Sequence, residues 1–212
     1  MRRRRPTALL IDFDGVLRRH DERVRSELEA ANGLDDGEIL AVASAPELLI
    51  PAVLGRVSRA GWRTDIAAAL AERVGGLDNA EKIVGEWDTY RGEIVPEVRD
   101  TIAAVRDAGV PVELCTNATD DLREDLERFD LSDAFDAVVS SAEIGAVKPM
   151  REFYLVACEA VRTPPAQCLL VDDTARNVAG ARAAGLLAYR YTGSKGLQYV
   201  RAAFDLDGAS GD

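Results

Sequence analysis

Ala8 to Ile11 are four consecutive apolar residues with no polar alternation, a pattern that predicts a short strand buried on both faces, as in a parallel sheet. Asp12 and Asp14 follow one residue apart, and Gly15 supplies the freedom for a tight turn behind them. Beyond Leu17 the spacing turns helical. Val24 and Leu28 lie four apart in a helix expected over 18–31, with Asn32-Gly33 as its stop. Further helices are expected over 36–43 and 45–60, and over 65–74, where Thr64 stands as N-cap, Ile66, Leu70 and Val74 form the apolar stripe, and Gly75-Gly76 closes it. A helix over 80–90 ends the series. No run of β-branched residues interrupts it, so 17–92 reads as an all-helical insert.

From Pro96 the periods alternate. Helices are expected over 97–107, 120–129, 151–161 and 175–184, and strands over 110–115, 137–140, 168–171 and 186–191. Strands separated by helices of this length make right-handed βαβ units. The fold class is therefore α/β, a Rossmann-like open parallel sheet with helices on both faces. The sheet domain is assembled from 1–16 and 93–212, and the helical domain from 17–92. Glu113 interrupts the apolar run of a central strand, and pattern alone gives it no role. The tail at 208–212 reads as disordered.

Composition narrows the function. With 212 residues and 47% hydrophobic content, the chain can bury a full core. No apolar stretch approaches the roughly 20 residues that span a bilayer, and the apolar run behind Arg2 to Arg5 is too brief for a secretory signal. Cys115, Cys158 and Cys168 form no CxxC pair and sit in apolar surroundings, which suits free thiols in a reducing cytoplasm. A net charge of −11 argues against nucleic acid as a partner. The arginine run at the start is a short block without aromatic interleaving, the footprint of a solvated terminus rather than a basic arm. His20 is the single histidine, which excludes Ser-His-Asp and Cys-His chemistry and a histidine-based zinc site.

Four polar groups fall after the predicted strands: Asp12 and Asp14; Thr116 and Asn117; Lys148, just before a helix; and Asp172 and Asp173. Strand ends of a parallel sheet converge on one crevice. Carboxylates this close repel unless a cation joins them, and the hard divalent Mg²⁺ accepts such oxygen ligands. Lys148 is one of three lysines among 26 basic residues, so a chain that otherwise prefers arginine places a compact ammonium here.

At these residues the sequence resembles the haloacid dehalogenase superfamily of hydrolases, in all four family motifs and in order, with the helical insert in the position of that superfamily's helical cap. The resemblance implies a phosphatase. Asp12 would form an aspartyl phosphate, and Asp14 would act as acid and then base, its carbonyl also ligating metal. Mg²⁺ would be held by Asp12, Asp14 and Asp173 with Asp172 close by. Thr116 and the amide of Asn117 would hold phosphate oxygens, and Lys148 would bridge Asp12 and the phosphate. Asp14 favours phosphate esters, because the dehalogenase branch lacks the second Asp; its neighbouring carboxylate would keep it protonated. The substrate expected is a small phosphorylated metabolite. A phosphomutase and a non-catalytic binding protein are the alternatives. Met150 departs from the family's small polar residue after Lys-Pro, and Asn177 stands where many relatives have Asp, either holding Lys148 or a metal-bound water, or facing solvent. Arg18 and Arg19 would recognise an anionic substrate or be solvated. Trp62, Trp87, Tyr90 and Arg91 would line the cap or fill its core. An apolar helical cap can also serve as a homodimer face.

Overall fold

The computed structural model describes residues 5–206; the rest of the basic run, Arg2 to Arg4, and the tail at 208–212 lie outside them. Strand β1, Ala8–Ile11, is buried at every position, and it forms the middle of a five-stranded sheet of order β5-β4-β1-β6-β7. Its partners are β4, Val112–Thr116, and β6, Cys168–Asp172; β5, Ala137–Ser140, and β7, Leu187–Arg190, form the edges. All four pairings are parallel. Successive side chains of a strand point to opposite faces, and the core divides accordingly. Leu9 and Ile11 join Val112, Leu114, Leu169 and Val171 on one face, and Ala8 and Leu10 join Cys115, Cys168 and Leu170 on the other. Helices α6, Pro96–Asp107, α7, Leu122–Arg128, and α11, Leu197–Ala203, cover the first face; α9, Arg151–Ala160, and α10, Ala175–Ala183, cover the second.

Between β1 and α6 the chain builds a third apolar cluster, around Ile39, Trp62, Ile66, Leu70 and Val84. It is made by α1, Glu22–Ala31, α2, Glu38–Ala43, α3, Pro46–Val53, α4, Arg59–Leu70, and α5, Leu77–Thr89. Several expectations change here. The insert is not wholly helical: Arg18–Arg19, β2, pairs antiparallel with Glu93–Ile94, β3, so the first residues expected in a helix instead form a ribbon where the chain enters and leaves the insert. Thr64 is not an N-cap. The helix starts earlier, capped by Ser58, whose side chain accepts from Gly61 N, while Thr64 donates within the helix to Ala60 O. The stretch expected as one helix over 45–60 is broken at Gly55, whose positive φ ends α3 and whose hydrogen lies where a Cβ would meet Ala142 O at 2.3 Å. That close approach seats the insert on α8, Ser141–Ile144, a short helix the pattern did not reveal. Ser194 to Gly196 close in a 3₁₀ turn with Gly196 buried against the Tyr189 hydroxyl, and α11 after it is a helix the pattern did not reveal.

Trp62 is core, its Nε1 donating to Ala43 O, and it meets Trp87 edge to face. Glu29 is buried in the insert, where its carboxylate accepts from Gly37 N and Ile39 N, each at 2.8 Å, satisfying amides at the start of α2.

Candidate active site

The carboxyl ends of β1, β4 and β6 meet in one crevice, and the polar residues named from sequence are brought together there. Lys148 lies at its centre, 4% exposed. Its Nζ is 2.7 Å from Asp12 Oδ1, donates to Asp172 Oδ2 at 2.7 Å and to Cys115 O at 3.0 Å. An ammonium has three protons, and these three acceptors make a tripod that fixes two carboxylates. Burial opposes charge on Lys148, but the Asp12 and Asp172 carboxylates outweigh it and its pKa lies above the ordinary value. For Asp12 burial dominates and pushes its carboxyl well up, with Lys148 pulling it back.

Asp12 Oδ1 also accepts from Phe13 N at 2.8 Å. Asp172 is fully buried: Oδ1 accepts from Thr174 N at 2.9 Å, and the Asn177 amide donates to both oxygens, at 3.1 and 3.2 Å. Asn177 therefore holds Asp172 rather than Lys148, and it is buried rather than facing solvent. Asn177 O in turn accepts from Tyr154. Oxygens of Asp12, Asp172 and Asp173 lie within 4.8 Å of one another, a donor set of hard oxygens that fits Mg²⁺. Gly15 makes room for it. Its φ is +80°, and a Cβ there would sit 2.2 Å from Asp173 Oδ2, so a side chain at this position would drive Asp173 out of the cluster.

Thr116 ends β4 and is 1% exposed. Asn117 has a role the sequence did not reveal: its side chain accepts from Lys148 N at 2.8 Å and donates to Lys148 O at 3.0 Å, clamping the backbone that carries the ammonium.

Asp14 departs from expectation. Its neighbour is not the Asp12 carboxylate but Arg18, whose Nε and Nη2 donate to Oδ1 and Oδ2 at 2.7 and 2.9 Å, a bidentate fork of the strong kind. Arg18 is buried and neither solvated nor open to substrate; it stacks over Phe13 at 4.2 Å and donates to Asp125 Oδ2 at 2.5 Å. Arg91, expected to line the cap or fill its core, also bonds Asp125, at 2.7 Å, and Asp121, at 2.6 Å. Burial works against the Asp125 carboxylate, but the Arg91 and Arg18 guanidiniums prevail and hold it below the usual range. Arg19 is exposed beside Glu93, and His20 Nδ1 lies 4.0 Å from Asp14 Oδ1. Glu113 is fully buried, accepts from Cys115 Sγ at 2.9 Å and leaves Oε2 without a partner; burial pushes it up to about 8.

The chain is similar to known proteins. A family model of haloacid dehalogenase-like hydrolases matches residues 6–185. A plasmid-encoded phosphoglycolate phosphatase of Cupriavidus necator is 32% identical over 90% of this chain and 84% of its own length. A ribulose-1,5-bisphosphate 5-phosphatase of Halopiger xanaduensis is 31% identical over 47% of this chain, a stretch that spans only 44% of that protein. Among solved structures, a HAD family enzyme of Bacteroides thetaiotaomicron in complex with magnesium and inorganic phosphate superposes with a TM-score of 0.71 at 21% identity, over 88% of this chain and 94% of that one. The L-2-haloacid dehalogenase of Xanthobacter autotrophicus with covalently bound chloropropionic acid does so with 0.66 at 20% identity, over 98% and 85%. At such identities these two share the fold alone. A family model that takes in four of the five sheet strands, the insert and the strand-end residues together shows that the chain belongs to the haloacid dehalogenase-like hydrolases.

Proposed function

We propose that the chain is a Mg²⁺-dependent phosphatase of a small phosphorylated metabolite, acting through an aspartyl phosphate on Asp12. The observation that carries this reading is the buried cluster of Asp12, Asp172 and Asp173 with Lys148 fixed between the first two. In the first step an Asp12 carboxylate oxygen bonds to phosphorus, the bond to the leaving oxygen breaks, and Asp14 gives that oxygen its proton. In the second, Asp14 takes a proton from water, the water oxygen bonds to phosphorus, and the Asp12 carboxylate is regenerated. Asp14 is 46% exposed at its side chain and has to leave the Arg18 fork to reach the leaving group. Lys148 orients Asp12, while the Thr116 hydroxyl and the Asn117 amide hold phosphate oxygens as charge redistributes.

Asp12, the Asp14 carbonyl and Asp173, with Asp172 behind, would hold the metal. When bound, a divalent cation supplies positive charge that stabilises the anionic nucleophile beside an anionic phosphate. The same reading takes 1–16 and 93–212 as the catalytic core and 17–92 as a cap that excludes water in the first step, in a cytoplasmic protein whose cysteines, all free and buried, suit a reducing compartment. Phosphate release from p-nitrophenyl phosphate with Mg²⁺, then with excess EDTA, tests it. Turnover that stops with the chelator is expected; turnover indifferent to it contradicts the metal, and none with Mg²⁺ present contradicts the reaction.

A further inference from the structure

A pocket of about 410 Å³ opens in the insert. Its apolar walls are Val24, Leu28, Leu40, Trp87 and Tyr90, from α1, α2 and the end of α5, and His20, which also lines it, brings its Nδ1 to 4.0 Å from Oδ1 of Asp14, the proposed general acid. The His20 and Tyr90 rings meet edge to face with centroids 6.0 Å apart. Leu40 is 48% and Val24 42% exposed, apolar surface that a ligand would cover. The volume falls in the range of small-molecule sites.

The charges around this pocket are decisive. A carboxylate on the leaving group needs a cation with a free donor, and the two arginines that line the pocket, Arg25 and Arg59, are paired with carboxylates. Arg25 pairs with Glu29 at 3.5 Å and Asp36 at 3.8 Å. Arg59 pairs with Asp88 and, at 3.1 Å, with Asp121. Arg18 is held by Asp14 and Asp125, and Arg91 by Asp88, Asp121 and Asp125. Glu22 and Glu86 on the rim form no ion pair among the described residues, so the field that a leaving group meets is net negative. An anion placed here would lose hydration and gain no partner.

Resting on the phosphatase reading, we infer that this pocket receives the alcohol half of the substrate and selects an apolar body without negative charge, against a carboxylate-bearing one such as glycolate. This separates the chain from the phosphoglycolate phosphatases it resembles in sequence, because specificity here lies in the insert rather than in the strand ends. One apolar contact or one unpaired polar group in such a pocket changes relative affinity by about tenfold or more.

The test compares benzyl phosphate with phosphoglycolate, both esters of alkyl alcohols, by calorimetric titration of Asp12→Asn with Mg²⁺ present, so that binding is read without turnover. Benzyl phosphate is expected to bind about tenfold more tightly or better. A further exchange, Leu40→Arg in the same background, adds a cation at an exposed position of the wall and is expected to bring the ratio down by a similar factor. Equal or tighter binding of phosphoglycolate, or a ratio that Leu40→Arg leaves unmoved, overturns the inference. Turnover of p-nitrophenyl phosphate by the unmodified chain is followed in parallel: its absence refutes the reaction but leaves the binding order to be read on its own.

Discussion

Lys148 is the residue whose loss is felt twice. Its ammonium stands between two buried carboxylates, and removing one partner of a buried ionic group leaves the others uncompensated at a cost of about 3–5 kcal/mol. Lys148→Met is therefore expected to lower the urea midpoint strongly as well as to abolish turnover. Lys148→Arg is not expected to rescue turnover, because a planar fork cannot replace a tripod with acceptors in three directions; full activity in Lys148→Arg would contradict that role. Glu113 makes a different prediction. Its carboxyl is pushed from an ordinary 4.5 to about 8 by burial, so between these values the folded state holds a proton that the unfolded state has released. Stability from this group is complete below the lower value and falls as pH rises toward the upper one, by about 1.4 kcal/mol per pH unit. Urea unfolding at pH 5, 6.5 and 8 is expected to show a falling difference between the parent and Glu113→Gln; a difference that does not change with pH contradicts the buried neutral acid.

At the scale of elements, the turn after β1 depends on Gly15, which combines a positive φ with contact to Asp173. Gly15→Ala is expected to cut turnover by at least tenfold and to raise the Mg²⁺ concentration needed for half-maximal rate, whereas an unchanged Mg²⁺ requirement would show that Asp173 does not answer to Gly15. The strands and the crevice were legible because their signals are local. Ala8 to Ile11 and Cys168 to Val171 are apolar runs, and the carboxylates stand directly behind them. The ribbon of Arg18–Arg19 with Glu93–Ile94 was not, because its pairing joins residues far apart in sequence, and two residues carry no period. The start of α4 at Arg59 rather than Asp65 was missed because Ser58 and Thr64 are both competent caps, and only tertiary packing of Trp62 selects the earlier one. The Arg18 fork on Asp14 was likewise hidden: Asp125, which completes it, lies on a helix 107 residues away.

On the scale of the whole molecule, the insert meets the sheet domain through the Gly55 approach to Ala142 and through charge. Arg59, at the start of α4, and Arg91, where the insert ends, both reach Asp121, and Arg91 also reaches Asp125, while Arg59 N donates to Asp120 Oδ1 at 2.7 Å. The Arg59 N bond to Asp120 is exposed and weakens in salt, whereas the buried Arg91 pairs are screened much less. Amide exchange at Arg59 and Ala60 is expected to quicken in 1 M NaCl and in Asp120→Ala, with exchange in β1 unaffected; uniform quickening would mean global destabilisation instead. The central claim concerns the bond that links these scales, between Asp12 and phosphorus. Acid quench of the enzyme turning over ³²P-labelled acetyl phosphate with Mg²⁺ tests it most directly. Label that stays on the protein in acid, is released by hydroxylamine and is absent from Asp12→Asn is the predicted result. Label retained by Asp12→Asn, or an unlabelled protein while phosphate is being released, would contradict it.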